Sequence, residues 1–291
     1  MNWKMLALDL DGTTLNNNEE ISEKNRAAIK HASMAGIRVI VTTGRSHTSA
    51  NPYIQQINTG DPSITYNGAL IKQGDETLRT LSMDQETTYR CLHILKELGQ
   101  TPVVYSIDEK RHIDNPEGLI EDFYEFSKGS GIQNVTVDNL LDQQWQKVIR
   151  ISVFSDKDTT ETLDRELHNQ LGDSIATAQT YFPHWDFWIF EILNPLCTKP
   201  LALQFLCEMY GFHAGEVIAV GDNRNDIGML QWAGMGIAMR NSLPDVSAYA
   251  DYVSRYDNEE HGVAEIIERF ILSKKPCTNC AAHPPSNQHN P

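Results

Sequence analysis

The stretch Met5-Leu6-Ala7-Leu8-Asp9-Leu10-Asp11-Gly12-Thr13 decides how the rest of the chain is read. An apolar run, Met5–Leu10, ends in a glycine turn and carries two carboxylates two residues apart. A short apolar run bounded by a turn reads as a buried strand. Asp9 and Asp11 repel each other at its end, and the pair is best tolerated when a hard cation or a proton is shared between them. Such a pair suits metal-assisted chemistry, with one carboxylate as nucleophile and the other as acid/base. The plain alternative is a solvated Asp-rich turn, so the flanking sequence has to decide.

Outward from that stretch, strands and helices alternate. Ser22–Ala35 has helical spacing with Ser22 at its N-cap, and Gly36 stops it. Ile37–Val41 is a β-branched strand running into Thr42-Thr43-Gly44-Arg45. Ile64–Tyr66 is a short strand before Asn67-Gly68, and Ile71–Leu81 reads as a hairpin turning at Gly74-Asp75. Late in the chain, Pro200–Tyr210 is helical and stops at Gly211. Val217–Val220 is a buried strand, Ile227–Ala233 a short helix and Gly236–Met239 a further strand. This alternation predicts an α/β fold with a Rossmann-like, doubly wound parallel sheet. Ligands of such sheets sit outside the carboxyl ends of the strands, which puts Asp9–Gly12, Thr43–Arg45 and Gly221–Asp226 on one rim.

Residues 84–192 have another rhythm. Thr87–Leu98 and Thr160–Leu171 read as helices, Val103–Ile107 and Lys147–Phe154 as strands, and Ala176–Leu193 as paired strands turning near Pro183-His184. The expectation is an inserted α+β domain over 84–192, its sheet carrying helices on one face. The core is then discontinuous, over 1–83 and 193–272.

Composition sets the outer limits. In 291 residues, 24 Lys+Arg face 39 Asp+Glu, a net charge of −15. A prior of about 150 residues per domain suggests two domains. The acidic balance argues against broad binding to nucleic acid or an anionic membrane, while a local cation still permits an anionic small substrate. No run approaches the roughly 18 apolar residues that span a bilayer. Asp9 and Asp11 also interrupt the N-terminal apolar run, so it does not read as a signal peptide, and a cytoplasmic location is expected. Cys91, Cys197 and Cys207 read as reduced core thiols. Residues 273–291 hold four of the twelve prolines and almost nothing apolar, and read as a disordered tail. Its Cys277 and Cys280, with His283 and His289, match no standard zinc module.

Three further pieces bear on chemistry. Thr43-Gly44-Arg45 offers a hydroxyl and a glycine amide leading into a helix, an anion cradle or a simple N-cap turn. Gly221-Asp222-Asn223-Arg224-Asn225-Asp226 follows a buried strand with carboxylates able to bind Mg²⁺, or able merely to cap the next helix. Lys199 opens a helix, where the macrodipole disfavours it, so it either serves an anion or is simply a surface lysine, the plainer reading when it is taken alone.

These pieces, in this order, resemble the haloacid dehalogenase-like hydrolase superfamily, and more narrowly its Cof-type phosphatases with a large α+β (type IIB) cap between the second and third motifs. The similarity runs from Met5 to about Ile271, and includes Asn67-Gly68-Ala69, the stretch Ala233–Met239 and His261-Gly262-Val263. The resemblance implies Mg²⁺-dependent hydrolysis of small phosphomonoesters, such as sugar phosphates or a phosphorylated cofactor. It implies Asp9 as nucleophile and Asp11 as acid, then base. Leu10, Thr43, Gly44, Lys199 and Asn225 would hold phosphate. Asp222 would bind Mg²⁺ with Asp9 and the backbone carbonyl of Asp11, supported by Asp226. Pro200 and Arg240 stand where the family commonly has glycine. Proline is acceptable in a first helical turn, whereas Arg240 bears on substrate range.

If the inserted domain caps the rim, its loops choose the leaving group. The aromatic segment Tyr181–Trp188 reads first as core plus a hairpin tip, and secondly as a stacking wall in which His184 or Trp185 sets specificity. His112 and His184 read as surface histidines. Rival activities are a phosphotransferase or phosphomutase using the same aspartyl-phosphate, or a non-catalytic phospho-ligand sensor. Partners are expected to be the small substrate alone, with the chain a monomer or weak homodimer. No Gly-x-Ser-x-Gly elbow supports an acyl hydrolase.

Overall fold

Short strands that are apolar on both faces build the core. A computed structural model describes residues 3–128 and 130–273. The expectations for Cys277, Cys280, His283 and His289 lie outside the described residues. The first sheet contains β1 (Met5–Leu8), β2 (Arg38–Thr42), β3 (Ser63–Thr65), β4 (Leu70–Gln73) and β5 (Glu76–Thr80). The second is built from β6 (Val103–Ser106), β7 (Lys110–Ile113), β8 (Gln133–Thr136), β9 (Val148–Ser155), β10 (Ala176–Phe182) and β11 (Phe187–Leu193). The chain then returns to the first sheet with β12 (Val217–Gly221), β13 (Met235–Ala238) and β14 (Tyr252–Val253).

The first sheet has the order β14-β13-β12-β1-β2-β3-β4-β5. Its strands are parallel from β14 to β3, and the β3-β4-β5 edge is antiparallel. Leu6 and Leu8 of β1 pack on one face with Ile29 of α1 (Glu23–Met34) and Ile266 of α9 (Gly262–Ile267). Met5 and Ala7 pack on the other with Leu203 of α6 (Lys199–Tyr210) and Met229 of α7 (Ile227–Trp232). The expected helix starting at Ser22 is capped by that side chain, which accepts from the Asn25 amide at 3.2 Å. This is the doubly wound parallel sheet expected. Because the order reverses at β1, the ends of β1, β2 and β12 converge on one crevice.

The second sheet, ordered β10-β11-β9-β6-β7-β8, is antiparallel except for the β7–β8 pair. One face packs against α3 (Gln85–Glu97) and α5 (Lys157–Leu171) through Leu92, Leu95, Leu163 and Leu167. The expectation that its helices share one face needs correcting. Phe123 of α4 (Phe123–Lys128) packs with Tyr105, Ile149 and Phe154 on the opposite face, which meets Tyr66 and Ala69 of the first sheet's region. The β6–β9 register passes from Tyr105–Arg150 to Ser106–Val148, leaving Ile149 as an extra residue. Such a bulge redirects side chains at the edge of a site. No helix among the described residues is long and apolar enough to cross a membrane.

Candidate active site

Asp9 stands one residue past β1 and is buried, and its amide donates to the Val220 carbonyl at 3.1 Å. The loop that follows turns at Gly12, whose φ of +67° suits glycine and whose missing Cβ leaves room for the Asp222 carboxylate. Thr14 Oγ1 donates to the Asp9 carbonyl at 2.6 Å, and Thr13 Oγ1 donates to Asp222 Oδ1 at 3.0 Å. Thr198 caps α6 and sets Lys199 in its first turn. The buried Lys199 ammonium donates to Asp9 Oδ1 at 2.7 Å and to Asp226 Oδ1 at 2.5 Å. Asp226 Oδ2 accepts from the amides of Asp222 and Asn223, both at 3.0 Å. Both Asp226 oxygens are therefore held by the protein, so Asp226 positions Lys199 and the loop after β12.

Carboxylate oxygens of Asp9, Asp222 and Asp226 lie within 4.8 Å of one another. Three buried carboxylates against one ammonium leave the cluster short of positive charge. Burial pushes the Asp9 carboxyl up to about 8, against Lys199, which holds it down, and with Asp226 and Asp11, which add to the rise. Burial, then Asp9 and Asp226, likewise raise Asp222 well above the usual carboxylate range. For Lys199, burial works against the charge, yet Asp226 and Asp9 hold its pKa above the ordinary lysine value. One oxygen each of Asp9 and Asp222 stays outside these bonds. An all-oxygen donor set with surplus negative charge fits a hard divalent cation.

Beside β1, Thr43 and Gly44 follow β2. The Thr43 amide donates to Ile64 at 2.9 Å, and its hydroxyl accepts from the Arg45 amide at 3.1 Å. Thr43, Gly44 and Asn225 line one cavity with Asp9 and Asp11. Asn225 Nδ2 donates to Asn67 Oδ1 at 3.0 Å. Leu10 is fully buried between the two aspartates in sequence. Asp11 is not a member of the carboxylate triad. Its carboxylate instead receives Arg45 Nε at 2.9 and 3.1 Å and Arg45 Nη2 at 2.5 Å. Arg45 Nη2 also reaches Glu19 at 2.9 Å, and the guanidinium lies over the Tyr53 ring.

The far wall of the cavity belongs to the second sheet and to α4 packed on it: Tyr105, Arg111, Phe126, Arg150, Phe182 and Glu191. Arg150 and Glu191 form a buried ion pair; Arg150 also donates to the Gly44 carbonyl at 2.8 Å, and Asn67 donates to Glu191. Of the aromatic segment, Phe182 lines the cavity, while His184 is exposed and neither it nor Trp185 is part of the lining. His112 is half-buried against Trp145 rather than on the surface. Arg240 does not enter the cavity either. It pairs with Asp257 and Glu260, both at 2.5 Å, on the outside of the core. Pro200 occupies the first turn of α6, where no N–H is required.

Sequence reading gave no role to Arg45, Asn67, Arg111, Arg150 or Glu191. A signal existed for two of them, since Arg150 and Glu191 are charges inside otherwise apolar strands, a pattern that marks a buried pair.

The profile of the haloacid dehalogenase-like hydrolase family matches residues 6–267. Bacillus subtilis YxeH is 30% identical over 277 residues, covering 94% of this chain and all of its own. The Bacillus subtilis 5-amino-6-(5-phospho-D-ribitylamino)uracil phosphatase YitU is 28% identical, covering 92% of this chain and 97% of its own. A crystal structure of a haloacid dehalogenase-like hydrolase from Bacteroides thetaiotaomicron superposes with a TM-score of 0.72 at 27% identity, over 92% of this chain and 99% of that one. The HAD subclass IIB sugar phosphatase BT4131 shares the fold, with a TM-score of 0.77 at 23% identity over 92% and 98% of the two chains. The order of motifs, the placement of the second sheet between them and the family match converge: the chain belongs to the haloacid dehalogenase-like hydrolases, in the Cof-type phosphatase branch with an α+β cap.

Proposed function

We propose that the protein is a Mg²⁺-dependent phosphatase of small phosphomonoesters that works through an aspartyl-phosphate on Asp9. The buried cluster of Asp9, Asp222 and Asp226 around Lys199 carries this reading. Asp9 and Asp222, with the Asp11 carbonyl, would hold the cation, whose positive charge offsets the repulsion between a carboxylate and a phosphate dianion. Asp9 then forms a bond to phosphorus as the ester P–O bond breaks, and Asp11 gives a proton to the departing oxygen. In the second half Asp11 takes a proton from water, whose oxygen bonds to phosphorus and releases inorganic phosphate and free Asp9. Lys199, Thr43, the Gly44 and Leu10 amides and Asn225 would hold the phosphoryl oxygens. Relatives named as phosphatases of a phosphoribityl compound support a small metabolite as substrate.

The test is phosphate release from an aryl phosphate and a panel of metabolite phosphates, with Mg²⁺ and with chelator. Asp9→Asn should fold normally and lose about 10³-fold or more of the Mg²⁺-dependent rate. A folded Asp9→Asn protein with undiminished turnover would overturn the assignment. Added alcohols distinguish water from another phosphoryl acceptor.

A further inference from the structure

Among the described residues that line the cavity, Arg111 is the cation with neither a carboxylate partner nor a part in this chemistry. Arg111 lies on β7 of the cap, is 3% exposed, and lines the cavity beside Tyr105 and Arg150. The other two arginines there are neutralised: Arg45 by Asp11 and Glu19, Arg150 by Glu191. Among the described residues no ion pair includes Arg111. Its Nη2 donates to the Ile132 carbonyl at 2.8 Å, Ser130 Oγ at 2.9 Å and the Ser127 carbonyl at 3.4 Å, all uncharged acceptors. Among the described residues its buried Nε has no hydrogen-bond partner. Burial lowers its pKa first, Tyr105 opposes this, and the like charge of Arg150 adds to the fall, so this guanidinium sits in surroundings that disfavour its charge. Arginine nonetheless keeps its proton in proteins. A buried cation without a counter-ion is costly, and a cavity that retains one is suited to an arriving anion.

The transferred phosphoryl group does not fill that need under the reading above, because its holders Leu10, Thr43, Gly44, Lys199 and Asn225 all stand on the core. The cap also lines this cavity with the rings of Phe126 and Phe182, their centroids 4.9 Å apart. Resting on the phosphatase reading, we propose that Arg111 recognises a second anion on the substrate: the leaving group carries a carboxylate or a further phosphate, its carbon skeleton lying against Phe126 and Phe182.

Two matched pairs of phosphomonoesters test this. Phosphoglycerate against glycerol phosphate differs by a carboxylate, and fructose bisphosphate against fructose monophosphate differs by a phosphate. Wild type should favour the member with the second anionic group in at least one pair by about 10-fold or more in kcat/KM, the scale of a lost charge-assisted hydrogen bond. The responding pair identifies which anion is read. Arg111→Gln should remove that preference by slowing the member with the second anion far more than its partner, and Arg111→Lys should keep part of it. Equal rates within both pairs for wild type would overturn the proposal, as would a folded Arg111→Gln protein that slows both members alike. If Arg111→Gln does not fold, the wild-type and Arg111→Lys ratios decide. Calorimetric binding of the same pairs to Asp9→Asn protein gives a readout without turnover. Discrimination there in the absence of any wild-type hydrolysis would sink the phosphatase reading and leave the anion site standing.

Discussion

Arg45 shows how one side chain fixes the chemistry of another. Its fork meets both oxygens of Asp11 while the same Nη2 reaches Glu19, and its side chain is 16% exposed. A lysine is a single point charge on a flexible stem and cannot reproduce that grip. Arg45→Lys should therefore leave Asp11 free to rotate and weaken proton delivery to the leaving oxygen. General acid catalysis contributes about 10²–10⁴-fold, so a partial loss of about 10-fold in kcat is expected for alkyl phosphates, with KM little changed. For an aryl phosphate, whose phenolate departs without a proton, the fall should be much smaller. Equal falls on both would show that Arg45 does not act through Asp11. The acid pair itself was legible from Asp9-Leu10-Asp11-Gly12, since two carboxylates at the end of an apolar run have few bland explanations. The Arg45–Asp11 contact was not, because it joins residues 34 apart and depends on where β2 lies beside β1.

At the scale of elements, the turn after β3 shows why the site depends on packing between segments distant in sequence. Tyr66 and Asn67 have φ of +51° and +52°, and Gly68 follows at +111°. Few side chains tolerate such a run, and it persists because the surroundings hold it. A Cβ on Gly68 would lie 2.7 Å from the carbonyl oxygen of Thr198, the residue that caps α6 and sets Lys199 in place. Gly68→Ala should strain its own backbone and push on that cap, costing about 2 kcal/mol or more in urea unfolding and lowering kcat together with stability. Unchanged stability would mean that the turn and α6 can part without loss. The core strands were legible because buried parallel strands read as unbroken apolar runs, as in Val217–Val220. In the cap, β7 (KRHI), β8 (QNVT) and α4 escaped notice. Each strand is four residues long with a single aliphatic side chain, and α4, although half aromatic, is only six residues long, too short for a periodic signal.

For the whole molecule, the question is what holds the cap over the core. The chain passes between the two sheets through segments around Ser82 and Asn194, which are themselves joined by a 2.8 Å bond from Asn194 Nδ2 to the Ser82 carbonyl. Elsewhere between core and cap, Asn223 grips the backbone of β10: its Oδ1 accepts from the Tyr181 amide at 3.0 Å, and its Nδ2 donates to the Tyr181 carbonyl at 2.8 Å. The neighbouring Arg224 adds Gln179 at 3.0 Å, Glu161 at 3.4 Å and the Trp188 ring. Its exposed ion pairs contribute little, whereas the two bonds of Asn223 engage backbone groups on an unpaired sheet edge. Asn223 thus links cap position to the loop that carries Asp222 and Asp226. Asn223→Ala removes that link together with the cap that Asn223 Oδ1 gives the Arg224 amide at 3.0 Å, while the amide of residue 223 can still donate to Asp226 Oδ2. Losing one such hydrogen bond should speed exchange of the Tyr181 amide about 10-fold while strands of the core exchange as before. Hydrogen exchange resolved over residues 176–182 measures this directly. Unaltered exchange at Tyr181 in a folded Asn223→Ala protein would place the hold on the cap elsewhere, at Arg150 on Gly44 or Glu109 on Thr48.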